Sequence, residues 1–138
     1  MITKKEFIIT ATILLAAVSF AAAQAEFMPV ENVKAGMTGV VRTTFEGTDV
    51  VEVEAEVLGV LPDIIGTKFD LIIVKLKGER VEFQGVAGGM SGSPFFIDGK
   101  LVGALSYRLG TFPKEPIAGV TPISDMLNTQ YGGSGAPQ

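Results

Sequence analysis

Cysteine and histidine are both missing from these 138 residues. Without cysteine there is no disulfide framework, no thiolate metal site, no cysteine nucleophile and no lipid-modified N-terminal cysteine. Without histidine a metal would have to be held by oxygen ligands, as calcium is, and the side chain most often used as a general base is not available. Charged residues are scarce too, at 19% against 47% hydrophobic ones, so the composition supports a buried core and not a disordered chain. There is no internal repeat, no long charge run and, beyond residue 25, no convincing 3.6-residue period. The expected class is therefore all-β, a small barrel or half of a larger one.

Residues 1–25 have their own logic. Lys4 and Lys5 make a positive start, Ile8 to Ala23 is an almost unbroken apolar run, and Ala23-Gln24-Ala25 is a small-x-small cleavage site. Thr10, Thr12 and Ser19 interrupt the run, which falls short of the ~20 apolar residues that a spanning helix wants. A secretory signal peptide cut before Glu26 is expected, with export to a bacterial periplasm or beyond and no stable membrane anchor afterwards. Removing Lys4, Lys5 and Glu6 from 11 basic and 15 acidic residues leaves 9 and 14, a formal charge of −5. Nucleic acid is not an expected partner, because its binders concentrate positive charge.

Along the rest of the chain, Val40 to Phe45 reads as a strand closed by Glu46-Gly47-Thr48-Asp49. Val51, Val53, Ala55 and Val57 then alternate with Glu52, Glu54 and Glu56, one face buried and one rich in carboxylates. Side chains two apart on a strand stand ~7 Å from each other, so the glutamates read as a solvated sheet face and not as a calcium site. Leu58 to Gly66 is expected to be a turn-rich connection, and Asp70 to Leu76 a strand buried on both faces. Lys77 to Arg80 turns the chain into Val81-Glu82-Phe83. Asp98-Gly99 between apolar runs is a strong hairpin signal, pairing Pro94–Ile97 with Leu101–Tyr107. A loop over residues 108–116 precedes a strand at Ile117 to Val120. Ser124 is placed to cap a short helix running through Leu127, and residues 131–138 have linker composition. Phe95, Phe96, Tyr107 and Phe112 fit either a binding cleft or a core.

The stretch Gly88-Gly89-Met90-Ser91-Gly92-Ser93-Pro94 is a tight glycine turn that presents Ser91. Amides converging around such a serine would form an anion site beside a hydroxyl, which is half of the machinery for acyl transfer. The other half is a base. A Ser-Lys dyad through Lys75, Lys100 or Lys114 is the internal alternative to histidine, although Lys100 stands beside a hairpin turn and points to solvent. Asp98 is explained by turn chemistry alone.

Three segments together, Ala87 to Pro94, Ile97 to Ala104 and Pro116 to Ile123, resemble the SpoIVB peptidase family of trypsin-like serine endopeptidases. Lys34 to Gly39 and Glu56 to Leu61 are similar to its longer exported members. The resemblance covers about Met28 to Leu127 and implies half of a trypsin-like double β-barrel with a short C-terminal helix. It implies Ser91 as nucleophile, the amides of Ser91 and Gly89 as oxyanion hole, and Ser106 with Tyr107 along the substrate cleft. The implied partner is a peptide or protein substrate, and no cofactor or metal is implied. The family's general base is a histidine in a Gly-His segment, which would have to come from a continuation of the chain or from a second chain. The alternatives are a catalytically inactive peptidase-like domain that binds extended peptides, or a structural domain of the envelope.

Overall fold

The structure, a computed structural model, describes residues 26–64, 69–86, 88–109 and 115–132. The expected signal peptide, Phe112, Lys114 and residues 133–138 of the expected tail lie outside the described residues.

Six antiparallel strands close into a barrel: β1 (Thr38–Thr44), β2 (Val50–Leu61), β3 (Leu71–Lys77), β4 (Pro94–Ile97), β5 (Lys100–Arg108) and β6 (Ile117–Pro122), in the order β1-β2-β3-β6-β5-β4, with β4 returning to β1. The all-β expectation holds, and alternation explains why the sheet curls around its own core. Val41 of β1, Val53, Ala55 and Val57 of β2, Ile72, Val74 and Leu76 of β3, Phe95 and Ile97 of β4, Val102 and Leu105 of β5, and Ala118 and Val120 of β6 are all buried. On the outside of β2 the glutamates meet cations across the ladder, with Glu52 2.9 Å from Arg42 on β1, and Glu54 and Glu56 3.4 and 2.9 Å from Lys77 on β3. The carboxylate face is thus a solvated ion-pair ladder.

Four local expectations change. The segment from Leu58 continues as strand to Leu61, because a register shift between Val57 and Gly59 bends β2 without ending it and Val60 still pairs with Ile72. β3 is not buried on both faces. Ile72, Val74 and Leu76 point inward, while Ile73, Lys75 and Lys77 are only half-buried, since a barrel strand has one interior side. Val81-Glu82-Phe83 belongs to a helix, α1 (Glu79–Gln84), whose six residues are too few to display a period. Val81 is buried beneath it and Phe83 is 91% exposed. The last helix, α2 (Ile123–Gly132), begins one residue before Ser124, so Ser124 sits inside its first turn and its Oγ donates to Asp125 Oδ1 at 3.5 Å.

The hairpin between β4 and β5 forms as the sequence indicates. Asp98 and Gly99 have φ of 50° and 75°, the left-handed pair that a two-residue turn requires and that aspartate and glycine tolerate.

Candidate functional site

Ser91 lies between a 3₁₀ turn, Gly88–Met90, and the first residue of β4, at one end of the barrel. Its side chain is exposed, as is Gly89, while the residue between them, Met90, is wholly buried. Met90 therefore plugs the turn into the core and leaves the serine outside. Backbone bonds secure the other half of the turn. The Gly92 amide donates to the Leu105 carbonyl at 2.6 Å, the Leu105 amide donates to the Ser93 carbonyl at 2.9 Å, and the Ser93 amide donates to the Met90 carbonyl at 3.1 Å. Ser93, buried, donates its hydroxyl to Thr43 Oγ1 of β1 at 2.8 Å. Pro94 then starts β4 where a missing amide is tolerated.

These bonds bring β5 beside the turn. Its ladder with β4 ends at Pro94↔Ala104, yet its ladder with β6 runs on to Arg108↔Ala118. Ser106 falls in a register shift between Leu105 and Tyr107. Its Oγ accepts from Thr121 Oγ1 at 2.6 Å and donates to the Gly119 carbonyl at 3.4 Å. The hydroxyl of Ser106 is thereby held within the barrel wall. Tyr107 is 44% exposed. The structure thus brings Ser91, Ser106 and Tyr107 to one end of the barrel, with Gly89 on the turn itself.

The lysines stand elsewhere. Lys75 is on β3, which lies across the ring of strands from β4, and its Nζ is 2.7 Å from Glu115. Lys100 begins β5 opposite Ile97, at the far end of the hairpin from Ser91, and its Nζ is 3.1 Å from Glu26. Asp98 shares that far end. Among the aromatic candidates, Phe95 is core, and Phe96 is half-buried on the outside with the Arg42 guanidinium 4.8 Å above its ring.

Thr43 and Ser93 were not singled out from the sequence. The signal available was alternation in β1, where Val41 and Thr43 share the inward face on either side of exposed Arg42. Nothing in the linear order links Thr43 to a residue fifty positions later. A separate recess of about 230 Å³ opens between Phe45, the start of β2 and α1, with Val51, Val53 and Val81 as apolar walls and Lys77 and Arg80 beside them. Arg80 places its guanidinium 4.6 Å over the Phe45 ring and 3.3 Å from Glu46, which ties α1 to the loop after β1. Among the described residues no group of three or more carboxylates is placed to hold a metal ion.

An exposed hydroxyl on a rigid glycine turn is suited to attack an electrophile once its proton has an acceptor, and that acceptor is worth ~10²- to 10⁴-fold in rate. No model of a protein family matches this chain, and none of the curated proteins is significantly similar to it.

Proposed function

We propose that the chain is the serine-bearing portion of an exported serine endopeptidase of the SpoIVB type. The observation that carries this reading is the position of Ser91, exposed on a turn that is bonded to β5, at the point where β5 runs past the end of β4. A peptide laid along Ser106 to Arg108 adds a strand to the barrel there, beside the turn that presents Ser91. In the reaction, Ser91 Oγ attacks the scissile carbonyl carbon as its proton passes to a base. The C–N bond then breaks as the leaving amine takes up that proton, leaving an acyl-serine that water hydrolyses. The base of the resembled family is a histidine, and as none of these 138 residues is one, the base in this reading comes from outside them. Export rests on the sequence of residues 1–25, with Lys4 and Lys5, the apolar run from Ile8 to Ala23 and the small-x-small site Ala23-Gln24-Ala25. The Leu101 amide donates to the Glu26 carbonyl at 2.8 Å and the Met28 amide to the Leu101 carbonyl at 3.0 Å, which attaches Glu26 to Met28 to β5.

The absence of histidine favours one second reading, an inactive domain that binds extended peptides at the same stretch of β5. The ladder between β5 and β4 ends at Ala104, which leaves Ser106 to Arg108 without a β4 partner and so available for strand addition. A fluorophosphonate probe separates the two. Covalent labelling of the purified protein with free imidazole added as the external base, lost in Ser91→Ala, supports a nucleophile that a base can activate. Equal, background labelling of both proteins refutes it and leaves the binding reading, for which amide shifts confined to residues 105–108 on titration with an extended peptide are the expected result.

A further inference from the structure

We propose that the buried Thr43–Ser93 hydroxyl pair is a positioning device for Ser91, an inference that rests on the reading of Ser91 as nucleophile. Thr43 and Ser93 are 3% and 9% exposed, the two buried polar residues among those described, in a core otherwise made of apolar side chains. A buried hydroxyl is unfavourable unless bonded, and replacing both members by apolar groups of the same shape is close to neutral for stability. Stability alone therefore gives no reason for two hydroxyls where two methyl-bearing side chains would pack.

The reason lies in what the bond holds. On the β5 side, the turn is secured by the Gly92–Leu105 and Leu105–Ser93 backbone bonds. On the β1 side, the β4 ladder pairs only Val40 with Phe96 and Val41 with Phe95, so it stops two residues short of Ser93. The bond from Ser93 Oγ to Thr43 Oγ1, 2.8 Å long, continues the attachment to β1 where the backbone ladder has ended. Ser93 is thus fixed from both neighbouring strands. Gly92, with φ of 87°, links it directly to Ser91. Cutting the β1 tie frees the turn to rotate about its β5 bonds and shifts the Ser91 Oγ and the neighbouring amides relative to the end of β5, while Met90 stays in the core.

The test uses position 91 as its own reporter. In a Ser91→Cys background, the pH profile of alkylation by iodoacetamide reports the thiol pKa and so the local field of the turn. Thr43→Val is expected to move that profile upward and slow alkylation at neutral pH by about threefold or more, and Thr43→Ser to restore it, since thiolate fraction controls the rate. Ser93→Ala, the partner's truncation, is expected to reproduce Thr43→Val and serves if that variant does not fold. A profile that Thr43→Val and Ser93→Ala leave unchanged, with only the urea midpoint lowered, shows a merely structural pair and overturns the inference. Fluorophosphonate labelling of Ser91 in the wild-type protein, with free imidazole added as base, is read separately. Its absence alongside a shifted thiol profile refutes the nucleophile reading and keeps the coupling of Thr43 to position 91.

Discussion

Replacing Gly103 by alanine is expected to destabilise the barrel, whereas the same change at Gly59 is expected to stabilise it. Gly103 faces the interior of β5, opposite Phe95 on one side and Pro122 on the other. A Cβ there collides with the Thr121 carbonyl oxygen and lies 2.9 Å from the Thr121 carbonyl carbon and 3.0 Å from Val120 Cγ1. Those atoms belong to β6, which is laddered to both β3 and β5 and has no room to retreat. Overpacking against such a wall costs about 1–3 kcal/mol and occasionally more. Because the obstacle is backbone, the cost sits at the upper end, about 3 kcal/mol; the smaller conformational freedom of alanine in the unfolded chain returns about 0.4–1 kcal/mol, so a net loss of about 2 kcal/mol is expected. In urea, with a slope of about 2 kcal/mol per molar for a small domain, that lowers the unfolding midpoint by about 1 M. Around Gly59 no atom lies within 4 Å of the added Cβ and the backbone is not left-handed, so only the chain-entropy gain of about 0.4–1 kcal/mol remains. Circular dichroism of the two variants across a urea series measures both. Equal midpoints, or a Gly103→Ala protein as stable as wild type, would refute the register of β5 against β6.

Two further outcomes follow from the same geometry. Asp98→Val is expected to lower the melting temperature by the equivalent of about 1–2 kcal/mol, because a β-branched residue resists the left-handed turn conformation, while Asp98→Asn leaves it near wild type; equal melts for the two would count against a two-residue left-handed turn. Stability should also fall at both ends of the pH scale through Glu56 and Lys77. The hydrogen bond from Lys77, and then its charge, hold the Glu56 carboxyl below its ordinary value, and the bond to Glu56 raises the Lys77 ammonium. A depressed carboxyl adds stability above its unfolded pKa that is lost as pH falls through the folded one. A raised ammonium adds stability below its unfolded pKa, about 10.4, that is lost as pH rises through the folded one. Glu56→Gln should therefore flatten the acid limb of a plot of urea midpoint against pH. An acid limb as steep as wild type would show that the pair makes no difference.

The local code was legible wherever one residue type has one physical use. Alternation across Val51 to Val57 marked β2, and Asp98-Gly99 marked the hairpin, since few residues adopt its dihedrals. The glycine turn was visible as a turn and Ser91 as its exposed member. Short or interrupted elements were not legible. α1 spans too few residues for periodicity, and the bend in β2 at Leu58 looked like an end because a bulge and a turn begin alike.

By itself, then, the order of residues determined the all-β class, the absence of histidine, and the serine on its glycine turn. Closure of β4 onto β1, the one-sided burial of β3, the placing of Lys75 across the barrel and Lys100 at its far end, and the meeting of Thr43 with Ser93 were decided by the tertiary structure alone. The reason is one of range. Dihedral preference and alternation act between neighbours, whereas a hydroxyl bond between residues fifty apart exists only once the ring of strands has closed.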